Sequence, residues 1–239
     1  MKDLKETLNG LKPECVLEIG CGQGNFLTGL ADAFPDAKMF VGVDIVDPST
    51  NVPAELLERP EFEWIEAWGH DLPFPDDSFD FVSIAHVLHH LAPDFIDATL
   101  AEMKRVLCPG GSFLVYEMYH DNQTEAQMSH VFYHHWLAEI DRVCGVHHYE
   151  TFSREDLMNM IQSLGLKNIR LEDFNEVYTP EEESEKITAM LSKMESRVED
   201  VKDSPEYDRF REELQSINIW IMTHGLAAPT RLIAVGELS

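Results

Sequence analysis

The stretch Val16 to Gly24, VLEIGCGQG, constrains this chain more than any other. A short apolar run carrying one acid, Glu18, breaks into glycines at alternate positions, Gly20, Gly22 and Gly24, and then into helix-forming sequence. Glycines stand where a backbone takes positive φ or comes within contact distance of a ligand. A helix opening after such a turn points unpaired N–H groups at whatever sits there. The stretch therefore predicts a strand, a tight turn and a helix start that cradle a ligand, with an ordinary strand-to-helix turn as the plainer alternative.

The spacing bears on which ligand. Dinucleotide-binding turns read G-x-G-x-x-G and seat a pyrophosphate on the helix N-terminus. Here the pattern is G-x-G-x-G, and Glu18 lies two residues ahead of it. A carboxylate there repels a pyrophosphate and suits an ammonium or sulfonium group. On these residues the chain resembles the class I S-adenosylmethionine-dependent methyltransferases, specifically the small-molecule, type 11-like members, whose first motif is an acid, a hydrophobe and G-x-G-x-G. Two later stretches carry the same resemblance: LPFPDDSFDFVSIAHVLHHL, Leu72 to Leu91, and MKRVLCPGGSFLVYE, Met103 to Glu117. It is specific from Val16 to Met118 and weaker beyond.

The resemblance implies an α/β fold: a Rossmann-like, doubly wound, seven-stranded and mostly parallel sheet with an antiparallel last strand, plus helical insertions. Strands are expected at Cys15 to Ile19, Met39 to Ile45, Phe62 to Ile65, Phe81 to Ala85, Ser112 to Met118, Lys167 to Val177 and Thr230 to Leu238. The run MFVGVDI is apolar almost throughout, as a strand buried on both faces requires. Asp44 ends it about 20 residues past the glycine turn, where a doubly wound fold places a carboxylate for ribose hydroxyls.

The resemblance further implies S-adenosylmethionine as cofactor. Its site would comprise Glu18, Gly20, Cys21, Gly22 and Gly24 at the methionine end, Asp44 and Ile45 at the ribose, and Gly69, His70, Asp71 and Ala85 on the remaining wall. One departure is visible: where the family has an acid before the Leu-Pro-Phe-Pro turn, this chain has Trp68. Methyl transfer needs a base only when the acceptor atom carries a tightly held proton. His86, His90, Tyr119 and His120 are the candidate catalytic residues, His86 foremost because it ends the fourth strand. His130 and His134 share a helix face at four-residue spacing. No acid stands at the spacing of known helical metal motifs and no cysteine accompanies them, so no metal is expected.

Between the last two strands some fifty residues intervene, which marks a structured or functional segment. Thr179-Pro180-Glu181-Glu182 reads as a capping box with proline at the first helical position. Ile187, Leu191, Met194 and Val198, then Tyr207, Phe210, Leu214, Ile217 and Ile221, give two amphipathic helices. A helical hairpin at 179–224 packing on the domain is expected; a homodimer contact or a lid are the alternatives. A further lid candidate is 119–150, all within one domain, 1–239.

The formal net charge of −26 tells against a nucleic-acid substrate, because a polyanion is repelled and the 18 Lys and Arg form no patch. Four cysteines without C-x-x-C spacing suit free thiols in a reducing compartment. No apolar run reaches the roughly 20 residues of a membrane helix. The expectation is a cytoplasmic enzyme methylating a small-molecule acceptor, with a non-catalytic S-adenosylmethionine sensor or partner subunit as the alternative.

Overall fold

The computed structural model describes residues 2–239. Seven strands form one sheet in the order β3-β2-β1-β4-β5-β7-β6. They are β1 (Cys15–Ile19), β2 (Met39–Asp44), β3 (Phe62–Glu66), β4 (Phe79–Ala85), β5 (Leu107–Met118), β6 (Lys167–Phe174) and β7 (Arg231–Glu237). The strands β1 to β5 pair in parallel, and β7 runs antiparallel to both of its neighbours. This is the doubly wound sheet the sequence implied. Strand order reverses between β1 and β4, so the carboxyl ends of these two strands open the crevice where such folds bind ligands.

The helices among the described residues are α1 (Lys2–Thr7), α2 (Asn25–Ala33), α3 (Pro48–Asn51), α4 (Ala54–Leu57), α5 (Pro93–Val106), α6 (Glu125–Val143), α7 (Arg154–Ser163), α8 (Pro180–Glu199) and α9 (Tyr207–His224). Consecutive strand residues feed opposite faces. Leu17, Val41, Val82 and Val115 meet Leu100 and Met103 of α5 and Leu157 and Ile161 of α7. Val16, Phe40, Phe81 and Leu114 meet Leu4 of α1 and Leu27 and Leu30 of α2. Covering both faces explains the unbroken apolar reading of the central strands. Each fully buried side chain of this kind contributes about 1.5–3 kcal/mol.

The fifth strand starts earlier than expected, at Leu107 rather than Ser112. Phe79 pairs with Leu107 and Phe81 with Ser112, so the Cys108-Pro109-Gly110-Gly111 segment bulges out between them. Proline cannot donate to a ladder, which suits it to such a bulge. The short helices α3 and α4 between β2 and β3 had no counterpart in the sequence reading.

The hairpin forms as its capping box and stripes predicted. The Thr179 hydroxyl accepts the Glu182 amide and Glu182 accepts the Thr179 amide. Met190, Met194, Val198, Phe210, Leu214 and Ile221 then bury against Trp136, Leu137 and Ile140 of α6. Thus α6, α8 and α9 share one apolar core, separate from the two beside the sheet.

Candidate active site

The glycine turn adopts the conformation its sequence demands. At Gly20 φ is +72° and a Cβ would lie 2.2 Å from Val87; at Gly24 φ is +78° and a Cβ would lie 2.5 Å from Trp64. The Gly20 and Cys21 amides both donate to the Val43 carbonyl, at 2.7 and 3.0 Å, which folds the turn over the end of β2. Cys21 is buried there, and burial together with the charges of Glu18 and Asp44 pushes its thiol up, so it stays protonated and unreactive.

Glu18 is 1% exposed. Burial holds its carboxyl well above the usual range, against the pull of a hydrogen bond from the Leu27 amide in the first turn of α2. Its Oε2 has no hydrogen-bond partner. A buried acceptor left open costs about 1–3 kcal/mol, so such an atom needs an explanation. Asp44 does the opposite: its Oδ2 accepts the Gly22 amide at 2.9 Å and its Oδ1 accepts the Val46 amide at 3.1 Å. It ties the glycine turn to the loop after β2.

Beyond β2 and β3, large apolar side chains face solvent. Ile45, Val46 and Trp68 are 56%, 44% and 57% exposed. The β2–β3 register pairs Asp44 with Glu66, and the Ala67 amide donates to the Asp44 carbonyl, so the two loops lie side by side. Residues 68 to 71 form a tight turn with Trp68 bridged to Asp71. Gly69 is buried against Ile19 and Thr99, His70 stacks on Phe95 with ring centres 4.3 Å apart, and Asp71 is exposed. Ala85 ends β4 beside Tyr116 of β5.

After β4 the chain turns sharply, with His86 at φ +57°, a strained conformation for histidine of the kind that gathers at functional sites. The organising group is Glu117, 1% exposed at the end of β5. Its carboxylate accepts the Leu88 amide at 3.1 Å and the Met118 amide at 3.0 Å, and lies 3.0 Å from His89 Nδ1 and 3.4 Å from His86 Nδ1. Burial alone would push this carboxyl up, but the two histidines outweigh it and hold it well below the usual range.

Of the four candidate catalytic residues, His86 and His90 both lie in the segment that follows β4, and Tyr119 stands apart. His86 is partly exposed, its ring 4.8 Å from Tyr116. The His90 ring lies tilted against that of His148, with centres 4.3 Å apart. Tyr119 is buried, and its hydroxyl reaches Asp173 of β6 at 3.4 Å, away from the histidines. His120 donates from Nδ1 to the Thr151 carbonyl at 2.5 Å and lies beside His135.

A cavity of about 140 Å³ opens between α1, α2 and the β5–β7 end of the sheet, lined by Phe26, Tyr116, Phe174, Glu176 and Arg231 among others. Arg231 lies against the Tyr116 and Phe174 rings, pairs with Glu176 at 3.1 Å, and keeps its Nε buried without a partner. Sequence reasoning assigned no role to Arg231 or Glu117, since each reads as an ordinary charge at a strand end. The one available signal was position: both stand where strands open onto the cleft.

Five buried side-chain polar atoms lack a partner among the described residues: Glu18 Oε2, Trp64 Nε1, Thr99 Oγ1, His134 Nδ1 and Arg231 Nε. Trp64 adjoins Gly24, Thr99 adjoins Gly69, Glu18 and Arg231 are described above, and His134 stands on α6. Glu18, Trp64 and Thr99 thus leave polar atoms open beside the glycine turn and the 68–71 turn, as expected of a cradle that a polar ligand completes.

Known proteins resemble the chain in the same region. The family model described as a methyltransferase domain matches residues 17–115. A demethylmenaquinone methyltransferase of Bacillus cereus is 25% identical over 187 residues, covering 71% of this chain and 78% of its own. The crystal structure of the YcgJ protein from Bacillus subtilis superposes with a TM-score of 0.60 at 18% identity, covering 99% of this chain and 97% of that one. A Haemonchus contortus phosphoethanolamine N-methyltransferase, solved with phosphomonomethylethanolamine and S-adenosylhomocysteine, has a TM-score of 0.56 at 19% identity and covers 98% and 51%.

Proposed function

We propose that this chain, a class I S-adenosylmethionine-dependent methyltransferase, methylates a compact small-molecule acceptor that carries an anionic group. The observation that carries the cofactor site is the open Oε2 of buried Glu18 beneath the glycine turn. A carboxylate with one oxygen held by Leu27 and one left over is matched by the ammonium of a methionine group. Asp44, anchored by two backbone amides, keeps its remaining lone pairs for ribose hydroxyls. Exposed Ile45, Val46 and Trp68 form an apolar wall suited to a flat base, which supports Trp68 in place of the acid the family has there.

S-adenosylmethionine, when bound, supplies a methyl group on a positively charged sulfur, so the donor needs no further activation. The chain's part is to hold the acceptor in line and exclude water, effects worth several kcal/mol of barrier. The cavity beside Tyr116 supports the acceptor assignment: its walls are aromatic, and Arg231 offers an unpaired N–H to an anionic group. His86, adjoining Tyr116 and backed by Glu117, is the group placed to take a proton from the acceptor atom. His90 and His120 line the approach, and α6 with the 179–224 hairpin covers it as a lid. Four free thiols support a reducing, cytoplasmic setting.

The test is incubation with methyl-labelled S-adenosylmethionine and metabolite extracts fractionated into acidic, neutral and lipid-soluble pools. Label is expected in the acidic pool. Label in the lipid pool would favour an acceptor like that named for the Bacillus cereus relative, and tight S-adenosylhomocysteine binding with no transfer to any pool would overturn the reading.

A further inference from the structure

Among the described residues, one group of side chains is assembled as metal-ligating groups are: His89, His134 and His148 offer ring nitrogens that lie within 4.8 Å of one another. They come from three separate segments. His89 sits in the 3₁₀ turn after β4, His134 on α6, and His148 in the loop that follows α6. We propose that these three imidazoles bind a divalent transition ion, Zn²⁺ by preference, with a fourth position left open.

Two of the three outer nitrogens support this. His89 Nδ1 is held by Glu117 at 3.0 Å, and His148 Nδ1 by Asp141 at 2.7 Å. A carboxylate accepts from the N–H of each ring, which fixes the tautomer and turns the Nε2 lone pair inward. Carboxylate–histidine pairs of this kind orient the ligands of protein metal sites. Asp141 is itself bound by Arg197 of α8 and so is fixed in turn. His134 Nε2 approaches His148 Nε2 to 3.1 Å. Nitrogens bound at about 2.0–2.1 Å to a tetrahedral zinc stand about 3.3 Å apart, so this pair is already at ligand spacing.

The alternative account of that contact is a direct hydrogen bond between the rings. With His148 Nδ1 protonated, His134 Nε2–H must then donate, which occupies both Nε2 atoms with one proton, while His134 Nδ1 is buried without a partner in either account. An ion removes the need for a shared proton at Nε2.

Three protein ligands with one open position is the pattern of catalytic rather than structural zinc. Glu117 joins His89 to His86, so the ion would lie one carboxylate away from the proposed proton acceptor. The reading of helix spacing that predicted no metal weighed His130 with His134. Folding instead joins His134 to residues 45 positions before it and 14 after.

The experiment takes the tag-free full chain, strips it with chelator, and titrates it with Zn²⁺ and, separately, with Co²⁺. One equivalent of either is expected, the Co²⁺ form showing the visible absorption of a four-coordinate site. His134→Gln and His148→Gln are expected to lower affinity at least 100-fold. Asp141→Asn, which keeps all three imidazoles, should lower it 10–100-fold. His147→Gln, at an exposed neighbour, should leave it unchanged. Absence of stoichiometric uptake, or uptake unaffected by His134→Gln and Asp141→Asn, would overturn the assignment. S-adenosylhomocysteine binding measured on the same samples reports folding and keeps this result separate from the methyltransferase reading.

Discussion

The Asp44 carboxylate accepts the Gly22 amide at 2.9 Å, so the glycine turn and the end of β2 are one rigid unit. Replacing Asp44 by alanine removes that clamp and the proposed ribose acceptor together. S-adenosylhomocysteine affinity is expected to fall by about 1–3 kcal/mol, the scale of hydrogen bonds to a charged group. Isothermal calorimetry checks it, and unchanged affinity would remove Asp44 from the cofactor site.

Glu18 carries a pH consequence. Its folded pKa is raised by burial, so the folded chain holds a proton that the unfolded chain has released. The stability of the free protein therefore falls as pH rises from the ordinary carboxylate pKa through the raised one. A bound ammonium favours the carboxylate and reverses this, so binding S-adenosylhomocysteine within that window is expected to release a proton. Calorimetry in buffers of different ionisation enthalpy measures the release, which Glu18→Gln should abolish while weakening binding.

Glu117 shows the opposite sign. Its folded pKa is depressed, so its contribution is complete above the ordinary carboxylate pKa and fades as pH drops below it. Truncation to alanine strands the Leu88 and Met118 amides and His89 in a buried site. A loss of about 3–5 kcal/mol is expected, as for breaking a buried ionic network. Urea unfolding at neutral pH is the measurement, and a loss below about 1 kcal/mol would contradict it.

Arg231 separates acceptor from cofactor. Arg231→Leu is expected to raise KM for the anionic acceptor about 10–100-fold, the range for losing charge-assisted hydrogen bonds. The Kd for S-adenosylhomocysteine should stay within error. A parallel loss of both would show that Arg231 supports the sheet rather than the acceptor.

The helical layer makes a stability prediction. Phe210 is fully buried against Trp136, whose Nε1 donates to the Phe210 carbonyl at 3.2 Å. Phe210→Ala should cost about 3–5 kcal/mol. If α6, α8 and α9 fold as one unit with the sheet, thermal unfolding stays a single transition at lower temperature; a second transition would mark the helical layer as independent.

What the sequence revealed follows the range of the interactions involved. Gly20, Gly24, Asp44 and the capping box at Thr179 are local devices, and each was readable from neighbours within a few residues. The apolar stripes of α8 and α9 were equally plain, although their partner, α6, was not. Glu117 could not be read, because a glutamate at a strand end acquires meaning only through His86 and His89, which lie some thirty residues earlier. The histidines misled for the same reason. Four-residue spacing puts His130 and His134 on one face, yet His134 points to His148 and His89, while His130 lies among Arg231, His86 and Lys186. Tyr119 stands just past the end of β5, and its hydroxyl reaches to Asp173 of β6 instead of to the histidines.

The placement of β7 between β5 and β6 has a bearing on how the protein is made. Strand β6 leaves the ribosome first, but its sole neighbour in the sheet is β7, which follows only after both hairpin helices. Until then β5 presents an open edge, and open edges invite pairing with other chains. Synthesis thus leaves the β5 edge open for roughly 110 residues, from Met118 to Arg231, and β6 unpaired for the last half of them. In the folded chain α8 and α9 pack on α6, so the hairpin returns the chain to the sheet where β7 closes that edge.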